Sequence, residues 1–101
     1  MSELNYRITN KARIDLIEIW DYTSKTWSKT QAKKYYSQLT NAFSFLARNA
    51  EIGKDFSEIR NGLLGKSVGK HIVFYEVEST NKIDIIRVLH ERMDLKSRLE
   101  E

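Results

Sequence analysis

The sequence lacks cysteine and any long hydrophobic run. Without cysteine the chain has neither a disulfide framework nor a thiolate metal site, as is typical of a cytoplasmic protein. No apolar segment approaches the roughly 18 residues of a membrane-spanning helix. The first ten residues have no apolar core of the kind found in signal peptides. We therefore expect a cytoplasmic chain without a membrane segment.

The length of the chain limits the number of domains. At 101 residues it can bury one compact core but not two. Hydrophobic residues make up 41% and charged residues 31%, which is typical of globular proteins. No repeat, low-complexity tract or linker interrupts the sequence. We expect a single domain over residues 1–101.

Acidic residues are missing from two segments, residues 22–50 and residues 60–75, although both contain lysine and arginine. The net charge of +3 is modest, so the asymmetry lies in the distribution of charge. Such a distribution indicates an acidic partner, either nucleic acid or an acidic protein. A solvated helix face is the equally simple alternative.

Two amphipathic helices are expected after a short N-terminal strand. Residues 4–8 alternate apolar and polar side chains, which is typical of a strand. Thr9 can cap the first helix, and Ser28 opens the second with the capping-box spacing to Gln31. The very short connection predicts an antiparallel hairpin. Aromatic side chains on the two apolar stripes are predicted core residues, with a base-stacking platform as the alternative: Trp20, Trp27, Tyr35, Tyr36 and Phe43.

The hydrophobic period changes from 3.6 to 2 after the second helix. Residues 62–69 indicate a weak edge strand, and residues 71–78 and 82–90 indicate strong strands joined by a hairpin turn. The charged residues 94–101 predict a short C-terminal helix or tail. The resulting order is β-α-α-β-β-β, an α+β two-layer domain with the helix hairpin on one face of a mainly antiparallel sheet.

Both faces of the central strands are apolar. Val73 and Tyr75 alternate with Ile72 and Phe74, yet the helix hairpin can cover only one face. The second face must then be covered by the C-terminal tail, by a second copy or by a partner chain. Ile72 and Phe74 are therefore predicted partner contacts.

The last strand ends in the charged sequence "RVLHERMD". Arg87, His90 and Arg92, with the chain's other histidine, could imitate a ribonuclease, which needs a base, an acid and phosphate-binding cations. Simple alternation, however, places Arg87 with Ile85 and Leu89 on the face opposite His90, unless a bulge intervenes. Two histidines alone do not make a zinc site. We predict no catalytic residue, no metal site and no cofactor.

This charged cluster is more simply interpreted as a turn that faces a protein partner. Local capping within the turn is the alternative, in which Arg92 could pair with Asp94. The predicted partner contacts of the cluster are Arg87, His90, Arg92, Met93 and Asp94.

Several segments resemble the ParE toxins, within the RelE/ParE superfamily of type II toxin–antitoxin systems. They cover nearly the whole chain: "ARIDLIEIWDYTSKTW", "QAKKYYSQL", "IGKDFSEIRNGL", "GKHIVFYEV" and "IDIIRVLHERMDL". The most specific is an aliphatic strand that ends in His-x-Arg-Met-Asp. Ala50 stands where the family often has proline. Leu63 and Leu64 stand where an aromatic residue followed by arginine is frequent.

The resemblance implies a RelE/ParE-like fold and a toxin that inhibits DNA gyrase by protein–protein binding. It also implies a ParD-like antitoxin that neutralises the toxin in a hetero-oligomer and whose C-terminal segment would cover the second sheet face. A role in plasmid maintenance or stress response, no direct nucleic-acid readout and no membrane contact are further expectations. The alternative function is that of the RelE branch, a ribosome-dependent mRNA endoribonuclease. A third hypothesis is an interaction module without toxicity.

Overall fold

The computed structural model describes residues 5–100, so Leu4 of the predicted strand and Glu101 lie outside the described residues. The elements follow the predicted order, with an additional two-residue strand. They are β1 Tyr6–Ile8, α1 Asn10–Thr26, α2 Lys29–Arg48, β2 Lys54–Asp55, β3 Leu64–Val68, β4 His71–Ser79, β5 Lys82–His90 and α3 Leu95–Leu99. A 3-10 turn at Ala50–Ile52 separates α2 from β2. No helix in residues 5–100 is long and apolar enough to cross a membrane.

The five strands form one sheet in the order β1-β5-β4-β3-β2. β1 is parallel to β5, and every other neighbouring pair is antiparallel. In the turn between β4 and β5, Asn81 has a φ of 58°, a left-handed conformation that asparagine tolerates better than most residues. The prediction of a mainly antiparallel sheet is confirmed.

Both long helices begin at the predicted caps. The Thr9 hydroxyl accepts the Ala12 N–H at 3.1 Å, and the Ser28 hydroxyl accepts the Gln31 N–H at 3.0 Å. These bonds satisfy N–H groups that have no partner within the first helical turn. The helix hairpin packs on one sheet face and forms the larger core. Its buried members are Ala12, Leu16, Leu39, Phe43, Leu46, Ala47, Val73, Tyr75, Ile83, Ile85 and Val88.

The second face of the sheet is covered by the chain itself. Two segments provide the cover, the turn-rich residues 56–63 and the helix α3. The C-terminal tail is thus part of the cover, and this face requires neither a second copy nor a partner chain. The buried cluster beneath consists of Leu63, Phe74, Leu89 and Leu99, flanked by the partly buried Phe56, Ile59, Ile72, Ile86 and Leu95.

Phe74 is an internal residue, which corrects its prediction as a partner contact. Its side chain is 0% exposed and packs edge-to-face on Phe56, with ring centroids 5.1 Å apart. Ile72 is half-buried in the same cluster. The physical reason is that residues 56–63 carry apolar side chains on turns, where no strand or long-helix pattern marks them as a covering layer.

A bulge in β5 changes which face its residues occupy. Tyr75 pairs with Ile85 while Phe74 pairs with Arg87, so one extra residue lies between the paired positions. Val88 therefore joins the helix-side core and Leu89 joins the second cluster. Simple alternation from Ile85 predicted the reverse, and that prediction is wrong. The bulge lies before Arg87, so Arg87 and His90 still alternate to opposite faces.

Arg87 is held inside the molecule by a buried ion pair, which corrects its prediction as a partner contact. Its guanidinium donates to the Asp15 carboxylate at 2.8 and 2.9 Å and to the Arg98 carbonyl at 2.8 Å. Asp15 also accepts the backbone N–H of Val88 at 3.0 Å. The short β1 does not extend to Val88, so this carboxylate replaces the missing strand. One contact thus joins α1, β5 and α3.

Replacing Asp15 with alanine should leave the Arg87 guanidinium buried without its counter-ion. We expect the free energy of unfolding to fall by about 3–5 kcal/mol, as measured by urea denaturation. The matched control is Asp21→Ala, which removes an exposed pair with Lys25 on the same helix and should cost less than about 1 kcal/mol. Small and equal losses in the two variants would contradict the structural role of the buried pair.

Candidate functional site

The helix hairpin extends beyond the end of the sheet. α1 passes β5 at Asp15, where the carboxylate contacts the Val88 N–H, and then continues to Thr26. β5 ends close to that contact, at His90. His90 pairs with His71, the first residue of β4, so both central strands stop at this level. About three turns of α1, or roughly 16 Å, therefore lie past Asp15. Most of this length has no strand beneath it.

The overhanging helices and the end of the sheet enclose a groove of about 850 Å³. Its walls are mainly apolar, with Ile19 and Tyr22 from α1, Trp27 from the interhelical turn and Met93 from the segment after β5. Tyr22 is 66% exposed and Trp27 is 73% exposed. Large aromatic side chains with so much surface in water, gathered in a concavity, are typical of a binding site. We call this concavity the groove.

Trp27 departs most from the core predicted by sequence. Phe43 is buried and Tyr35 is half-buried, as predicted for a core stripe. Trp20 and Tyr36 pack edge-to-face with centroids 6.1 Å apart, although both keep substantial exposure. The prediction is wrong for Trp27 because a helical stripe shows which side of a helix faces the sheet but not where the sheet ends.

Two histidines lie on the floor of the groove. His71 and His90 pair across β4 and β5, with ring centroids 5.3 Å apart. The Tyr35 hydroxyl lies 2.6 Å from His71 Nδ1, donates to the Val68 carbonyl at 3.1 Å and accepts the Lys70 N–H at 3.2 Å. Tyr35 thereby fixes the orientation of the His71 ring.

The electrostatics of the floor keep His71 neutral. Burial and the neighbouring His90 lower the pKa of His71 to about 4, and the carboxylates of Asp15 and Glu91 only partly oppose them. His90 Nδ1 accepts the Arg92 N–H at 3.1 Å. Tyr35 and the Arg92 backbone therefore hold the two histidine rings in place on the floor of the groove. Among residues 5–100 no group of three or more His, Cys, Asp or Glu side chains could hold a metal ion.

The structure brings some of the predicted contacts together in the groove. His90, Arg92 and Met93 line it. Asp94 instead caps α3 by accepting the Ser97 N–H at 3.3 Å, and no ion pair joins Arg92 to Asp94 in the described residues. For Asp94 the structure therefore shows local capping, which was the alternative to a partner contact. The sequence pattern missed the contribution of α1 and of the interhelical turn to the same surface.

Acidification should destabilise the chain through His71. An unfolded histidine binds a proton below pH about 6.5, whereas the folded His71 does so only near pH 4. The unfolded state therefore binds more protons in this interval, and the free energy of unfolding falls as the pH drops through it. His71→Gln should remove this component, so the stability of the wild type relative to the variant should decline from pH about 6.5 to pH about 4 in urea denaturation. A difference that does not change with pH would contradict a buried, neutral His71.

Comparison with known proteins identifies the family. Residues 6–95 match the family model described as "ParE toxin of type II toxin-antitoxin system, parDE". The chain is 40% identical over 94 residues to Toxin ParE1 of Mycobacterium tuberculosis, covering 93% of this chain and 96% of that protein. It is 33% identical to Toxin ParE1 of Caulobacter vibrioides, with the same two coverages. Its fold is similar to a chain of the chromosomal ParDE TA system from P. aeruginosa, with a TM-score of 0.72 at 18% identity over 86% of this chain and 95% of that one. The chain belongs to the ParE toxin family of type II toxin–antitoxin systems.

Proposed function

We propose that this chain is a cytoplasmic toxin that inhibits DNA gyrase by protein–protein binding and that a ParD-like antitoxin neutralises it. Family membership supports this, because the resemblance to ParE toxins implies gyrase as the target and ParD as the antitoxin. The observation that carries the proposal is the groove, whose exposed Tyr22 and Trp27 are not covered by the described chain. The second sheet face cannot take this role, because α3 and residues 56–63 cover it.

The groove has the composition of a protein interface. Tyrosine, tryptophan, methionine and arginine are enriched at such interfaces, and Tyr22, Trp27, Met93 and Arg92 supply all four. Arg92 and Lys70 line the groove together with the histidine floor. We propose that the groove takes an apolar segment of a partner whose flanking acidic groups approach these two cations.

The geometry favours binding over catalysis. A RelE-like endoribonuclease needs a base, an acid and cations that converge on one phosphate. Arg87 is buried in its ion pair with Asp15, and the His71 Nδ1 is bonded to Tyr35. Of Arg87 and Arg92, Arg92 alone lines the groove. The groove thus lacks the second arginine that the ribonuclease hypothesis uses. We propose no catalytic residue and no cofactor.

Replacing Trp27 with alanine should weaken antitoxin binding by about 2 kcal/mol or more, roughly 30-fold, because exposed tryptophans in concave sites are frequent interface anchors. The matched control is Phe45→Ala, since Phe45 is 49% exposed on α2 and does not line the groove. Titration calorimetry with the antitoxin measures both affinities. Since both side chains are exposed, thermal unfolding should change little in either variant. Equal affinities of the two variants would contradict the assignment of the groove to the antitoxin.

Gyrase inhibition separates the three functional hypotheses. We expect the purified chain to block supercoiling by purified gyrase, and the antitoxin to restore it. Induction of the chain in cells should produce filamentation and a DNA-damage response while transcripts stay intact. Prompt translation arrest with cleaved transcripts and normal supercoiling would instead identify the endoribonuclease. A chain without any of these effects would be the interaction module. The destabilised Asp15→Ala variant is the control for effects of unfolded protein.

A further inference from the structure

The two acid-free segments of the sequence meet in the folded chain. The Tyr35 hydroxyl of α2 bonds to the Lys70 N–H and the Val68 carbonyl, which holds α2 against the end of β3 and the turn that follows. Lys66 pairs with Val73 of the helix-side core, so its side chain lies on the helix side of β3. Lys34, next to Tyr35 on α2, therefore lies near the same junction as Lys66 and Lys70.

The lysines of this surface are exposed and have no carboxylate partner. We call them the basic face: Lys34, Lys66 and Lys70. Within residues 5–100 none of them takes part in an ion pair. In contrast, Arg7, Arg60 and Arg87 are each paired with a carboxylate. No ion pair in the described part of the chain therefore neutralises these lysines.

The exposed side chains that share one stripe of α2 with Lys34, at steps of three, four or seven residues, are polar. Thr30, Ser37, Gln38 and Asn41 are exposed on α2, and such hydroxyl and amide groups contact phosphate oxygens in protein–DNA interfaces. Phe45 is the large apolar exception, one turn beyond Asn41. Lysine is depleted at protein–protein interfaces, whereas interfaces with DNA are strongly positive. Both features favour phosphate over an acidic protein.

We propose that the basic face binds the phosphate backbone of nucleic acid without reading its base sequence. Lys34, Lys66 and Lys70 are the contacts, because the Tyr35 hydrogen bonds bring their two segments together. About three lysine–phosphate contacts would give a salt-dependent affinity in the range of about 10⁻⁴–10⁻⁶ M. The proposal does not depend on gyrase inhibition, since the basic face shares only Lys70 with the groove and its test needs no enzyme.

The test measures binding of the full chain to a fluorescent duplex of about 20 base pairs by anisotropy. For three contacts the logarithm of the association constant should fall with the logarithm of salt concentration with a slope of about −2.7. Binding would then weaken roughly fortyfold from about 50 to about 200 mM salt. Lys34→Gln combined with Lys66→Gln should reduce the slope by about 2 and weaken binding about tenfold.

The matched control is Lys82→Gln combined with Lys96→Gln, which removes the same charge from β5 and α3. This variant should keep the wild-type slope, and equal losses in the two double variants would overturn the proposal. Absence of binding to any nucleic acid at low salt would also overturn it. A single-stranded oligonucleotide distinguishes the two forms of nucleic acid, and a preference for either supports a phosphate site. Polyglutamate that binds as tightly as DNA, with the same sensitivity to the variants, would instead assign the face to acidic proteins.

Discussion

The buried ion pair between Asp15 and Arg87 determines where the helix hairpin lies on the sheet. It closes the edge of β5 at the point where β1 has ended, and its contact with the Arg98 carbonyl ties α3 to the same position. With α1 anchored at Asp15, the rest of the helix runs past the end of the strands. The groove follows from this arrangement. Its exposed apolar surface belongs to the parts of the helices that extend past the end of the sheet, and not to an uncovered face of the sheet.

The described surface divides into two chemically different regions around Tyr35. On one side lies the groove, with exposed aromatic side chains and a histidine floor, which suits a protein segment. On the other side lies the basic face, which suits phosphate. The Tyr35 hydroxyl bonds the backbone at Lys70 and the His71 ring, so one residue positions both regions. Lys70 belongs to both, since it lines the groove and carries an unpaired charge. A partner in the groove and a nucleic acid on the basic face would therefore influence each other through this lysine.

Local chemistry allowed much of the fold to be predicted from sequence. The caps Thr9 and Ser28, the two strong strands and the apolar character of both sheet faces depend on residues close in the chain. The remaining features depend on distant contacts. The bulge in β5 accompanies a hydrogen bond from the Val88 N–H to a carboxylate on α1, which strand alternation cannot indicate. Apolar residues 56, 59 and 63 had helix-like spacing that could have marked a cover, but turns interrupt it. The site was the least predictable part, because Trp27 has the periodicity of a core residue.

The claim that the overhanging hairpin is the partner-binding surface can be measured at Trp27 itself. The sequence has two tryptophans, so Trp20→Phe leaves Trp27 as the single tryptophan of the chain. In the free chain its 73% exposure should give red-shifted emission that acrylamide quenches readily. On formation of the antitoxin complex we expect a blue shift and strong protection from acrylamide. A fully formed complex in which the emission and the quenching of Trp27 are unchanged would contradict the account.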